Sequence, residues 1–143
     1  APADMVVTLH ACDTATDYAL HNAVCRGARM ILSVPCCQHE LNGQIATDKL
    51  KLITRYGIIK ERFAALMTDA IRANLLESRG YKAQVLEFVD LSHTPKNLLI
   101  RAIKKRPALD NAGRIALDEA KALMEEFSLE PTLYSLLYPH SAD

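Results

Sequence analysis

The chain has 143 residues, of which 50% are hydrophobic and 24% are charged, proportions that are ordinary for a single soluble domain with its own core. Its 17 basic and 17 acidic residues cancel, so no overall field attracts it to nucleic acid or to a membrane. No apolar run approaches the ~20 residues of a membrane span. The 4 cysteines, two of them adjacent, indicate free thiols in a reducing cytoplasm rather than a disulfide framework.

The first part of the chain has the pattern of a βαβ unit with parallel strands. Residues 5–11 are apolar on both faces, as in a strand covered by helices. A helix over residues 16–27, capped by Thr14 or Thr16, precedes a second strand over residues 28–34. A connection of about a dozen residues has the length that joins parallel neighbours.

The middle of the chain is predominantly helical. A short helix is predicted over residues 48–56, and the strongest helical periodicity covers residues 58–78. The apolar residues of the longer helix are predicted to share one face, and they are Ile59, Phe63, Leu66, Met67, Ala70, Ile71 and Leu75.

The last part of the chain predicts a hairpin followed by two helices. The link between strands over residues 82–89 and 97–104 is too short for a crossover helix, so these strands pair antiparallel. Asp110 caps a helix over residues 110–127, and Pro131 begins a terminal helix. The predicted fold is therefore α/β, with two parallel strands, an antiparallel C-terminal hairpin and helices on both faces.

The first predicted strand lacks a partner on its outer edge. A strand that is apolar on both faces belongs inside a sheet, and a bare apolar edge favours aggregation. We therefore expect either a preceding segment or a second copy of the chain to pair with residues 5–11. The chain starts at Ala1 without an initiator methionine, and we expect it to be a piece of a longer protein.

Polar and sulfur-containing residues follow both of the predicted parallel strands. The first strand leads into His10-Ala-Cys-Asp-Thr-Ala-Thr-Asp17, and the second leads into Val34-Pro-Cys-Cys-Gln-His-Glu40. In open parallel sheets, ligands bind in the crevice beyond the carboxyl ends of the strands. We therefore expect the chemistry of this protein at that edge of the sheet.

Three separated motifs resemble the C-terminal half of a class I S-adenosylmethionine-dependent methyltransferase. They are Leu9-His-Ala-Cys-Asp-Thr-Ala-Thr-Asp17, Pro35-Cys-Cys-Gln-His39 and His93-Thr-Pro-Lys-Asn-Leu-Leu-Ile-Arg101. They are similar to a methyltransferase subgroup of bacteria and eukaryotes whose first motif has a glycine where this chain has Asp13. A related pattern occurs in the tRNA ribose 2′-O-methyltransferases that act on the acceptor stem.

The resemblance implies a partial Rossmann-like methyltransferase sheet over residues 4–138. The N-terminal half of such enzymes, which carries the cofactor-binding loop, is absent from this chain, so we expect the fragment to be inactive alone. S-adenosylmethionine is the implied cofactor of the intact protein, and RNA is the implied substrate.

The resemblance also implies roles for particular residues, with no metal ligand among them. The implied methyl-transfer pocket is lined by His10, Asp13, Cys36, Cys37 and His39. The implied cofactor contacts are His10, Ala11 and Cys12. The implied substrate contacts are Pro35, Lys96 and Asn97.

The same residues allow other interpretations. In one interpretation, His10 or Asp13 accepts a proton from a hydroxyl or amine of the substrate, or orients that group. In the other, His10 is a strand-end histidine whose hydrogen bonds are satisfied, and Asp13 is a helix cap. Cys36 and Cys37 offer either a nucleophilic thiolate or small apolar side chains. With Cys12 and the histidines they also supply the donor types that bind zinc, although without the usual ligand spacing.

Two basic clusters are candidates for phosphate contacts, or are simply solvated faces. The first consists of Lys49, Lys51, Arg55, Lys60 and Arg62, and the second of Lys96, Arg101, Lys104, Lys105 and Arg106. Two other functions remain open. One is a non-catalytic binding or oligomerisation module that pairs through the first strand, and the other is a Cys/His site that binds metal or responds to redox state.

Overall fold

A computed structural model describes residues 3–35, 38–88 and 97–139. Its strands and helices lie within a few residues of the predicted bounds. In chain order they are β1 (Met5–Ala11), α1 (Thr14–Cys25), β2 (Met30–Pro35), α2 (Lys51–Arg55), α3 (Gly57–Ser78), β3 (Tyr81–Phe88), β4 (Asn97–Lys104), α4 (Asn111–Phe127) and α5 (Thr132–Leu137). Among the helices in this part of the chain, none has the length and apolar character needed to cross a membrane.

The four strands form one mixed sheet in the order β1-β2-β4-β3. β1 and β2 are parallel, and β4 is antiparallel to both of its neighbours. The predicted parallel pair and C-terminal hairpin are therefore confirmed. Because β4 inserts between β2 and β3, β3 runs in the same direction as the first two strands, which is compatible with a partial Rossmann-like fold.

The core lies on one face of this sheet. Ile31 of β2 is opposite Ala102 of β4, and both are fully buried beneath the helices. Leu20 of α1 and Leu75 of α3 belong to the same cluster of buried side chains. Burying such side chains stabilises the fold by about 1.5–3 kcal/mol for each large aliphatic residue.

β1 is an edge strand, and one of its faces is bare. On the described part of the chain no strand pairs with its outer edge. Met5, Val7 and Leu9, which alternate with the half-buried Val6, are each more than half exposed. The prediction that both faces of residues 5–11 are buried is wrong within the described chain, because the described helices pack on the opposite face.

α3 is longer than the strand β2 at the centre of the sheet. It spans about 33 Å with 22 residues, whereas the six residues of β2 span about 20 Å. Since α3 starts on the side where β2 ends, its first turns project past the carboxyl edge of the sheet. Ile59 in the first turns is exposed, and Leu66 and Ala70 are exposed as well, although their neighbours on the helix are buried.

Helix capping agrees with the sequence at one helix and differs at another. Asp110 precedes α4 and accepts a hydrogen bond from the Gly113 backbone nitrogen at 2.8 Å, as predicted. At α1 the residue before the helix is Asp13, whose side chain makes no capping bond. Thr16, one of the two predicted caps, instead donates to the Ala11 carbonyl oxygen at 2.8 Å.

Candidate functional site

The end of β1 is irregular at His10. Pairing with β2 passes from Leu9 opposite Val34 to Ala11 opposite Pro35, so His10 has no partner in the ladder. Its φ angle is +56°, which is uncommon for a residue with a side chain. A bulge of this kind turns a side chain away from the alternating pattern, and the His10 side chain is exposed.

Cys12 and Asp13 complete the loop after β1. Cys12 is exposed, and its thiol donates to the His10 carbonyl oxygen at 3.9 Å, a weak local contact. Asp13 has φ +48° and ψ −124°, a conformation that favours glycine. A non-glycine residue held there costs about 1–3 kcal/mol, and such strain clusters at functional sites.

The Asp13 carboxylate joins the two loops that follow the parallel strands. Its Oδ1 atom accepts hydrogen bonds from the backbone nitrogens of His39 (3.1 Å) and Glu40 (3.0 Å). The expected neighbourhood of these two segments is therefore present in the structure. Asp13 is neither a capping side chain nor a free carboxylate, because one oxygen holds the second loop in place.

Arg72 of α3 also binds the loop after β1. Its Nη2 atom donates to the Asp13 carbonyl oxygen at 3.0 Å. Its Nε and Nη2 atoms donate to the two oxygens of Asp17 at 2.8 and 3.1 Å, and Nη1 donates to Asp69 at 3.3 Å. Gln38, from the loop after β2, donates to both oxygens of Asp69 at 3.1–3.2 Å.

These contacts close a ring that we call the strand-end clamp, formed by Asp13, Asp17, Gln38, Asp69 and Arg72. The loop after β1 and the loop after β2 are joined directly by the hydrogen bonds of Asp13. They are also joined indirectly, through Asp69 and Arg72 of α3. Asp17, Gln38, Asp69 and Arg72 are not among the site residues predicted from the sequence. Asp69 and Arg72 stand three residues apart among apolar positions of α3, and two charges at such positions are the signal that indicates a buried pair.

The inner members of the clamp are buried, because the Asp17, Asp69 and Arg72 side chains are 2–4% exposed. Burial raises the pKa of Asp69, and the charge of Arg72 and the hydrogen bond from Gln38 offset this only in part. Burial acts to lower the pKa of Arg72, but its hydrogen bonds and charge interactions with the two aspartates raise it overall. Arg72 is therefore charged at all ordinary pH values.

A second contact anchors the loop after β2 to α5. The Glu40 carboxylate accepts hydrogen bonds from the backbone nitrogen of Thr132 at 3.0 and 3.2 Å and from its hydroxyl group. Because this side chain satisfies the first turn of α5, the loop is restrained from both sides. The loop is thus held at Gln38 by Asp69 of α3, at the His39 and Glu40 nitrogens by Asp13, and at the Glu40 carboxylate by Thr132 of α5.

The remaining predicted site residues lie in different settings. Pro35 is buried at the end of β2, and the His39 side chain is exposed. Cys36, Cys37 and Lys96 lie outside the described residues, as does the side chain of Asn97. Within residues 3–35, 38–88 and 97–139, no three His, Cys, Asp or Glu side chains converge as a metal site.

Comparison with known proteins bears on this same region. A family model described as "Methyltransferase domain" matches residues 1–44. The match covers β1, α1, β2 and the loop that Asp13 holds, so this part of the chain is similar to a methyltransferase domain. No curated protein and no solved structure matches the chain.

Proposed function

We propose that this chain carries the acceptor side of an S-adenosylmethionine-dependent methyltransferase that acts on RNA in the cytoplasm. The observation that carries the proposal is the Asp13 bridge between the two strand ends, at 3.0–3.1 Å to the His39 and Glu40 nitrogens. The match to a methyltransferase domain over residues 1–44 supports it, because both sides of that bridge lie within the matched residues. In parallel sheets this edge is where ligands bind.

Asp13 is the residue that we assign to the acceptor. Its Oδ1 atom is occupied by two backbone donors, while Oδ2 has no hydrogen-bond partner in the described part of the chain. A carboxylate fixed at one oxygen presents the other in a defined direction, which suits it to orient an acceptor hydroxyl or amine and to accept its proton at Oδ2. The exposed imidazole of His10, raised on its bulge, is a second proton acceptor at the same edge.

The resemblance assigns further residues to this pocket, and we retain them as proposals. Cys36 and Cys37 would complete the wall beside His39. The segment from His10 to Cys12 would lie against the cofactor, which supplies an electrophilic methyl group when it is bound. Pro35, Lys96 and Asn97 would contact the substrate.

The described residues do not by themselves fit the whole cofactor. Its ribose and ammonium groups call for free carboxylates, yet the acids at this edge are engaged: Asp17 by Arg72, Asp69 by Arg72 and Gln38, and Glu40 by Thr132. Only one oxygen of Asp13 is left. We therefore propose that the cofactor loop belongs to a preceding segment that pairs with the outer edge of β1.

The experiment that tests the function uses this chain and a version extended N-terminally from the native gene. S-adenosylmethionine is titrated into both by calorimetry, and transfer of labelled methyl groups to cellular RNA is then measured. We expect binding and transfer only with the extended version. Binding to neither version would overturn the proposal.

Substitution of Asp13 tests whether methyl transfer takes place at the carboxyl edge of the sheet. Asp13→Asn, made in the extended version, keeps an oxygen for the His39 and Glu40 nitrogens but removes the carboxylate, so we expect transfer to fall by 10²-fold or more. His21→Gln, on the far end of α1, is the matched control and should leave transfer unchanged. Equal activity of both variants would remove Asp13 from the mechanism.

One observation favours a second candidate function, a module that associates through β1. Met5, Val7 and Leu9 are exposed beside an unpaired strand edge in the described chain. Sedimentation of the chain and of Val7→Lys should then give a dimer and a monomer respectively, because a charge on an edge strand opposes pairing. Val85→Lys, on the other edge strand β3, is the control that should leave a β1 dimer intact.

A further inference from the structure

The segment over residues 49–62, which we call the basic arm, comprises α2 and the first turns of α3. It carries five cations and one acid, Glu61, in a chain whose charges otherwise balance. The cations are Lys49, Lys51, Arg55, Lys60 and Arg62. Lys49 pairs with Glu126 at 2.9 Å and Lys51 lies 3.8 Å from Asp48, but these are exposed pairs that contribute little to stability. The arm is therefore a local positive surface on a neutral protein.

Large apolar side chains of the basic arm also face solvent. Leu52 is 71% exposed and Ile58 is 63% exposed, and Leu50, Tyr56 and Ile59 are exposed as well. None of these side chains belongs to the core cluster. They alternate with the cations along the chain, and Arg55 lies over the Tyr56 ring at 5.7 Å. Exposed apolar residues grouped in this way mark an interaction site.

The basic arm overhangs the candidate site. Arg72 of α3 contacts Asp13 at the carboxyl edge of the sheet, and Ile58 precedes it on the same helix by a distance of about 21 Å at 1.5 Å per residue. A molecule that contacts both Ile58 and Asp13 must therefore extend over about 21 Å. That length corresponds to about six phosphates of a stacked strand at 3.4 Å each.

We propose that the basic arm binds single-stranded RNA, holding the part of the strand that continues past the reacting nucleotide. This inference rests on the proposed function for its substrate class. Phosphates complement the cations, and the flat faces of the bases complement Tyr56 and the neighbouring aliphatic side chains. The backbone at Tyr56 is extended between α2 and α3, so the arm has no continuous helical face to lie on a bilayer, which favours the nucleic acid.

The test measures binding of fluorescent RNA to the full chain by anisotropy over a salt series, without cofactor. The RNA has about twelve nucleotides, twice the length of the 21 Å span, and a second RNA has about three. The arm variant Lys51→Gln with Arg55→Gln removes two cations that are four residues apart on α2. The control variant Arg26→Gln with Lys82→Gln removes two exposed cations at the opposite end of the sheet, where β2 and β3 begin.

We expect the longer RNA to bind the wild-type chain and the control variant equally. The arm variant should bind it roughly tenfold more weakly, and its slope of log K against log salt should be shallower by about 1.4, because two fewer phosphates are neutralised. The short RNA should not distinguish the two variants. Leu52→Ser with Ile58→Ser should also weaken binding of the longer RNA, but with the salt slope unchanged.

Three outcomes would overturn the inference: no RNA binding, equal loss in the arm and control variants, or arm-dependent binding to phosphatidylserine vesicles without binding to RNA. The proposed function fails separately. If RNA binds through the arm but is not methylated by the extended version, the arm assignment stands and the methyltransferase proposal is wrong. If methyl transfer to RNA is unaffected by the arm variant, only the arm assignment is wrong.

Discussion

The carboxylate of Asp13 lies 3.1 Å from the backbone nitrogen of His39, across the gap between two parallel strand ends. The contact forms at a residue whose φ angle of +48° favours glycine. Asp13 therefore has a strained backbone conformation, and its side chain provides a hydrogen-bond acceptor that glycine lacks. The strained backbone lowers the stability of the fold, whereas the hydrogen bonds of the carboxylate raise it. Substitutions of Asp13 separate these two effects.

Replacing Asp13 should give a stability order that follows from this opposition. Asp13→Ala loses the carboxylate and keeps the strain, so we expect a loss of about 2 kcal/mol in the free energy of unfolding. Asp13→Gly also loses the carboxylate but relieves the strain, and should be about 1 kcal/mol more stable than the alanine variant. Urea denaturation of the two variants checks this, and equal stabilities would mean that the Asp13 backbone is unstrained.

Arg72 should be the most sensitive charged residue of the chain. Arg72→Leu leaves Asp17 and Asp69, each less than 5% exposed, as buried carboxylates without a cation, which costs about 3–5 kcal/mol. Arg29→Leu is the control, because its pairing with Asp4 is almost fully exposed and its loss should not be measurable. Similar melting temperatures for both variants would contradict the buried ion-pair assignment.

Asp69 should make stability depend on pH with an unusual sign. Burial raises its pKa in the folded chain, so the folded state holds this proton more tightly than the unfolded state does. Its contribution to stability is therefore greatest at low pH and declines as pH rises from the ordinary aspartate pKa to the raised value. Asp69→Asn removes this decline, because the amide side chain does not titrate.

The measurement for Asp69 is the difference in unfolding free energy between wild type and Asp69→Asn at several acidic and neutral pH values. We expect wild type to lose stability relative to the variant as pH rises through the carboxyl range, and the difference to level off above it. Parallel pH profiles would show that Asp69 titrates normally in the folded chain.

Gly80 joins α3 to β3 in a conformation that excludes other residues. Its φ angle is +93°, and a Cβ atom there would lie 2.1 Å from the carbonyl oxygen of Arg106. Gly80→Ala should therefore cost about 3 kcal/mol or more, because a backbone atom must move. Gly43→Ala has no atom within 4 Å of the new Cβ and should change stability by less than about 1 kcal/mol.

The sequence by itself determined the elements and the location of the candidate site. The apolar periodicities report local faces, and the short link between residues 82–89 and 97–104 forces an antiparallel pair, as found for β3 and β4. The same reasoning brought Asp13 and His39 to one edge, because parallel strands end at the same side of a sheet. These inferences succeed because each depends on residues that are near one another in the chain.

Only the tertiary structure decided which charges meet and which apolar residues stay exposed. Arg72 contacts Asp17 across 55 positions, and no local periodicity reports a contact at that separation. Ile59 follows the same helical pattern as Ile71, yet only Ile71 is buried. The reason is that the start of α3 extends past the end of the sheet. A sequence pattern indicates which face of a helix is apolar, but burial depends on whether another element packs against that face.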